Sequence, residues 1–313
     1  MPNIKDFSDI LKIDPLPQIL ENGSPAVKYL ATKYFYPSNQ QKLNLLKNKI
    51  KQNQNRNKLL QEMDEDGHWE PDENYSIEKK KKAIAFQKQL QNLTQLLYLG
   101  ADNESESIKK ALIRLIKYQK QDGKFPLSLA HHGYALWLLA QYGLATNPIV
   151  ERGYRWLVKR QREDGGWISS IMKTSADLSD NTSSCLWTTV IITQAFSNHT
   201  RLKNSNTTKK AADFLTDHFL YKNHTSLFPE KEAWDYLYTD HTEKGMFRGG
   251  MLRYCEALAP LKHIQDNDSL QEGINYLSSS QLDNGLFPAK INSDTTGDYH
   301  VTFRVLKLLD QLQ

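Results

Sequence analysis

The chain has 313 residues, of which 39% are hydrophobic and 24% charged, and its 40 Lys and Arg exceed its 36 Asp and Glu by a formal charge of only +4. That length can bury a large core, and a balance so close to neutral gives no basis for a nucleic-acid partner. Two cysteines cannot form a disulfide framework, nothing resembles a signal peptide, and no apolar run is long enough to cross a bilayer, so we expect a cytoplasmic protein without a transmembrane segment.

Residues 1–56 read as an N-terminal helical extension. Ser24-Pro25 supplies an N-cap and first-turn proline for a helix over Ala26 to Tyr34, which Pro37 stops. Gln40 to Gln61 reads as one polar helix. A repeat then begins. Its fullest copy is Arg152 to Trp167: a basic residue, Gly153, the pair Trp156-Leu157, Gln161 and the closing Gly165-Gly166-Trp167. The same grammar returns at Lys110-Ala111, Arg114-Leu115, Gln119 and Gly123-Lys124-Phe125. It returns again at Glu272-Gly273, Tyr276-Leu277, Gln281 and Gly285-Leu286-Phe287. Gln61 with Gly67-His68-Trp69 is a looser first copy. The interval from Gly165 to Gly285 is about twice the others, which places a hidden unit at Lys210-Ala211, Phe214-Leu215 and Leu227-Phe228-Pro229, with Phe219 in the Gln place.

After each ending comes a more apolar helix, over about Ile84 to Leu99, Tyr134 to Tyr142, Leu186 to Phe196, Met251 to Leu261 and Val301 to Leu312. The repeat-bearing helices are amphipathic, as an outer ring requires, and the apolar ones fit an inner ring. No strand pattern competes. The expected fold is all-α: five or six helical hairpins closed into a ring over 57–313, with 1–56 packed on it as part of a single domain. The repeat ending is scaffold chemistry. Gly adopts the left-handed turn, Gln ties down open backbone groups and the aromatic plugs the space between hairpins.

These repeats resemble the QW motif of the terpenoid cyclase and protein prenyltransferase superfamily, whose α/α toroids carry it on their outer helices. The resemblance covers about residues 57 to 313, and the chain also looks like stand-alone prenyltransferase and squalene-oxidase repeat proteins. It implies an apolar, isoprenoid-like ligand in a cavity ringed by inner-helix N-termini. That ring would present His131-His132, Asn181 to Trp187, Phe247-Arg248 and Asp298-Tyr299-His300. The resemblance to prenyltransferases also raises a helical protein partner.

Asp298-Tyr299-His300-Val301-Thr302 resembles the prenyltransferase segment whose His binds zinc. A catalytic zinc needs three protein ligands, and the family's Asp and Cys are absent here, where the chain reads Arg248-Gly249-Gly250-Met251-Leu252. We therefore expect no metal and no cofactor; His300 with Cys185 or Cys255 is the one arrangement that would suggest zinc. The Asp-x-Asp-Asp motif of class II cyclases is missing too. The acidic clusters Asp64-Glu65-Asp66, Asp177 with Asp180, and Asp294 with Asp298 read as turns or caps before they read as acids.

Catalytic candidates are His300, Asp298, His131 and His132; only one of the adjacent pair can face a cavity. Ligand-binding candidates are Tyr299, Arg248, Trp187, Trp234, Tyr236 and Tyr238. The run Trp234 to His241 reads either as an aromatic lid or as a packed loop. Three functions remain open on the sequence: an isoprenoid-type cyclase, transferase or binding protein, a non-catalytic protein-interaction module, and a carbohydrate-active α/α-barrel enzyme.

Overall fold

A computed structural model of the protein describes residues 7–8, 10–71, 78–169, 183–221, 231–238 and 243–312. Among these residues every regular element is a helix, and only two isolated bridges, Tyr236 with Lys290 and Phe287 with Asp298, have strand-type pairing. The helices form an α/α toroid. Its outer ring is α4 (Gln54–Gln61), α6 (Glu106–Lys117), α8 (Pro148–Val158), α10 (Asn206–Asp217) and α13 (Asp268–Ser279). Its inner ring is α5 (Glu78–Tyr98), α7 (Leu129–Gln141), α9 (Leu186–Ser197), α12 (Met251–Leu258) and α14 (Tyr299–Asp310). Successive inner helices pack against one another, and the ring closes where the Tyr98 ring of α5 meets His300 of α14 at 4.4 Å. The difference between the rings is written in burial: every residue of α9 is buried, whereas α6 and α8 bury a single stripe.

The repeat ending is one turn made four times. In each, Gly67, Gly123, Gly165 or Gly285 donates back three residues, to Asp64, Lys120, Arg162 or Leu282. Each glycine has positive φ and touches the backbone or side chain of the next outer segment, at Lys110-Ala111, Arg152, Lys210 and Ile13 respectively. A side chain there would strike that segment, so the glycine is needed for approach as well as for turning. Trp69 and Trp167 fold back and donate from Nε1 to the carbonyls of Leu59 (2.7 Å) and Leu157 (3.0 Å) on their own outer helices.

The hydrogen bonds of the glutamines are distributed unevenly. Gln161 donates to the carbonyls of Gly165 and Thr207, both at 2.7 Å, and Gln281 does the same to Gly285 (2.8 Å) and Ile13 (2.7 Å). Gln61 is exposed; buried Gln89 of α5 takes over, donating to the carbonyls of Gly67 (2.8 Å) and Ala111 (2.9 Å). Gln119 is half-buried, and its two buried amide atoms have no hydrogen-bond partner among the described residues. Phe219 is buried where the fourth glutamine was expected, and Leu227-Phe228-Pro229 lie outside the described residues.

The N-terminal helices are α1 (Leu16–Asn22), α2 (Pro25–Phe35) and α3 (Gln40–Lys51). The expected helix from Gln40 to Gln61 is two helices, because Asn53 leaves the helical conformation and caps α4 by accepting from Arg56 N at 2.9 Å. The expected division after residue 56 therefore falls within α4. Both α1 and α2 pack on α14, and Ile13 pairs with Gln281 in both directions, so the segment before α1 stands where the outer helix after α13 would stand.

Candidate ligand cavity

One cavity of about 540 Å³ opens where the C-terminal ends of all five inner helices converge, at Tyr98, Gln141, Asn198, Pro260 and Gln311. Helix α14 runs up its wall from His300 to Gln311, and α2 contributes Tyr29, Leu30, Lys33 and Tyr34. Leu97, Tyr98, Trp137, Tyr142, Phe303 and Leu308 supply apolar and aromatic surface. The resemblance placed the ligand at the inner-helix N-termini, and the structure differs there for a physical reason. A short helix, α11 (Glu243–Phe247), packs against α5, α7 and α9 and fills that mouth with buried Met246 and Phe247. Fully buried Arg253 holds α11 in place, donating from Nη1 to the carbonyls of Met246 (2.8 Å) and Arg248 (2.7 Å).

Of the catalytic candidates, His300 alone lines the cavity. Its Nδ1 is buried without a partner, and burial, then the neighbouring Arg304 charge, holds the imidazole down to about 3. His131 faces the filled mouth. Its Nδ1 lies 2.7 Å from Ser128 Oγ, its ring is 4.2 Å from Phe247, and burial lowers it to about 4. His132 is a cross-tie: Nδ1 accepts from Phe125 N at 3.2 Å and Nε2 lies 3.1 Å from the Gly153 carbonyl. Thr189 and Thr302 perform the same acceptance for Trp167 N (3.1 Å) and Phe287 N (2.9 Å), which makes His132 one member of a scaffold series. Burial holds it down to about 3. Asp298 is the N-cap of α14, accepting from Val301 N at 2.8 Å.

The ligand-binding candidates gather elsewhere. Trp187 and Trp234 pack at 4.7 Å, Trp187 donates to Tyr221 Oη at 2.9 Å, and its indole lies so close to Gly249 that an added Cβ would approach within 2.1 Å. Arg248 lies over the Tyr236 ring at 3.9 Å, with Lys290 at 4.7 Å from the same ring. Tyr238 and Tyr299 are half-buried against the core around α12 and α14. Trp234 to Tyr238 is therefore packed loop: Trp234 and Leu237 are buried, and Leu237 N and Tyr238 N both donate to the Ala289 carbonyl. Asp177, Asp180, Asn181, Asp240 and His241 lie outside the described residues. Cys185 and Cys255 are both buried, burial pushes the Cys255 thiol up, and among the described residues no three His, Cys, Asp or Glu come together as a metal site.

Sequence reasoning passed over the polar residues of the cavity. Glu256 and Arg304 form a two-pronged pair at 2.9 and 2.7 Å, and Gln194 donates to the same carboxylate at 3.0 Å. Glu256 holds the Arg304 guanidinium in its charged form despite its burial. Asp102 is engaged by Tyr29 Oη and Lys47. Burial pushes the Tyr34 phenol up to about 12, with Asp310 adding to it. Burial also lowers Lys307, with Arg304 in the same direction and Glu256 against it. The signal for these residues existed: a charge inside an apolar inner helix must be paired or must face a cavity.

No protein-family model matches the chain, and no curated protein does. Solved structures similar to it include a protein from Actinoplanes at 14% identity and a TM-score of 0.38, covering 82% of this chain and 98% of that one. They also include the type II terpene cyclase MstE from Scytonema at 13% identity and a TM-score of 0.32, covering 85% of this chain and 98% of that one. No described helix is long and apolar enough to cross a membrane.

Proposed function

We propose that the protein binds a small, mainly apolar molecule of isoprenoid type in the cavity at the C-terminal mouth of its inner ring. The observation that carries this reading is the cavity itself. Its volume of about 540 Å³ lies in the range of small-molecule sites. Its lining sets an aromatic and aliphatic body, from Trp137, Tyr98, Phe303 and Leu97, beside charged and amide side chains such as Glu256, Arg304, Gln141 and Gln194. Binding is favoured over acid-initiated cyclisation because the two cavity carboxylates, Glu256 and Asp102, are both engaged by cations. The same pairing weighs against a glycosidase-type carboxylate couple. An interaction module has less support, since the exposed large apolar residues, such as Leu45, Ile113 and Ile149, lie on separate elements.

The test is calorimetric titration with geraniol, together with organic extraction and mass spectrometry of the purified protein. Saturable geraniol binding, lost in a Leu97→Trp variant that keeps its helical circular dichroism, is the expected result. No binding heat and no co-purified apolar molecule would overturn the reading.

A further inference from the structure

The cavity carries more positive charge than its own side chains neutralise. Five charged residues line it: Lys33, Arg304 and Lys307 against Asp102 and Glu256. Arg304 is spent on Glu256, and Asp102 is bridged by Lys47 from outside the lining. Lys33 and Lys307 are left. Among the described residues neither makes an ion pair, and Glu256, the carboxylate that acts on Lys307, is already engaged by Arg304. Lys33 Nζ is 5.7 Å from the Tyr29 ring centre and Lys307 Nζ is 5.6 Å from that of Tyr34.

Lys33 and Lys307 come from α2 and α14, which pack against each other, so both belong to one wall. Leu30, Phe303 and Leu308 on the same two helices form the apolar part of that wall. Lys307 is half-buried and Lys33 is exposed at the cavity rim. Holding the half-buried Lys307 ammonium without an ion-pair partner is unfavourable to folding, and a cationic group kept in such a place points to an anion supplied from outside. A lysine stem also packs along apolar surface while presenting its charge, which suits a ligand whose apolar body and charged end lie side by side.

We propose that the ligand is an amphiphile with a single anionic head, its body on the aromatic floor at Tyr98, Trp137 and Phe303 and its head between Lys307 and Lys33. This rests on the cavity being a small-molecule site and adds the chemical class of what occupies it. One head carrying one or two negative charges matches two ammonium groups, because the only cavity guanidinium is already engaged by Glu256. A carboxylate and a phosphate monoester share this chemistry.

The test uses three probes with one body and different heads: geraniol, geranate and geranyl monophosphate, titrated into the full chain and into Lys307→Met and Lys33→Met. We expect at least one anionic probe to bind roughly tenfold or more tighter than the alcohol, the gain of a charge-assisted contact in a half-buried place. We expect Lys307→Met to remove that gain while geraniol binds as before, which also shows the variant to be folded. The free Lys307→Met protein should melt at a higher temperature than the parent, because an unneutralised charge has been replaced by an apolar chain. The ratio of geranate to geranyl monophosphate then says which head the wall prefers. If geraniol binds and neither anion binds more tightly, the anionic head is overturned and the apolar-ligand reading stands. If none of the three binds, both fall.

Discussion

The two mouths of the inner ring are treated in opposite ways. At the N-terminal mouth the chain fills the lumen with α11 and spends its polar side chains on its own scaffold: Arg253 on two carbonyls at the plug, His132 across two repeats, Asp298 on a helix end. At the C-terminal mouth it leaves about 540 Å³ open, with the half-buried Lys307 ammonium outside any ion pair and exposed Lys33 at the rim. A dense cluster of His, Asp, Arg and Trp is thus the scaffold end here. The sparser end, where Lys33, Lys307 and His300 have few partners, is the candidate for function. Polar residues satisfied by their own chain have little left to offer a ligand, and those left unsatisfied do.

This contrast can be broken by substitutions whose effects should separate by mouth. The largest effect belongs to the scaffold. Trp167 is fully buried, donates to Leu157 and packs on Phe196, and Trp167→Ala should destabilise the protein by about 3–5 kcal/mol. Chemical denaturation checks it, with geraniol affinity of the folded fraction unchanged. A variant of normal stability with altered ligand affinity would reverse the roles assigned to the two ends.

Acid should expose an intermediate effect shared by both ends. His131, His132 and His300 are held neutral in the fold, at about 4, 3 and 3, against about 6.5 unfolded. Below pH 6.5 the unfolded chain takes up a proton on each and the native chain does not. The stability from these groups is therefore complete above pH 6.5 and declines as pH falls toward their native values. The decline is about 1.4 kcal/mol per pH unit for each histidine. His300→Asn should reduce the loss between pH 6.5 and 4.5 by about 2 kcal/mol, read from urea unfolding at the two pH values. An unchanged loss would mean that His300 is already protonated in the native cavity, and its assignment as a neutral residue of the cavity wall would fail.

The repeat made the toroid legible because its turn is local: Gly123, Gly165 and Gly285 each close the same three-residue bond and touch the next outer segment. The Gln position was less legible, since its job is to satisfy carbonyls and any nearby amide can do it. Gln89 does it for the first hairpin from a helix later, and Gln61 faces solvent. The cavity was hidden for a different reason. Its lining is assembled from the ends of four inner helices, the length of α14 and α2, residues far apart in the chain with no shared spacing. Glu256 in α12 and Arg304 and Lys307 in α14, charges set among apolar residues, carried a trace of it in the sequence. His131 and His132 illustrate the opposite error of attention, a conspicuous pair whose second member is matched by two threonines elsewhere in the ring.

The smallest effect tests the least conspicuous assignment. Asp298 accepts from Val301 N at the start of α14, and its own N–H donates to the Phe287 carbonyl at 2.8 Å, so the residue joins a repeat ending to an inner helix. As a cap its side chain supports the helix end through one hydrogen bond. Asp298→Ala should therefore destabilise by about 1 kcal/mol, and Asp298→Asn or Asp298→Ser should restore most of that. Geraniol affinity should not change in any of the three. An acid that acted on a ligand would behave differently, since Asn keeps the cap and loses the proton. Equal stability of Asp298→Asn and parent, with ligand binding or turnover lost, would move Asp298 from the scaffold to the chemistry and draw the N-terminal mouth back into the site.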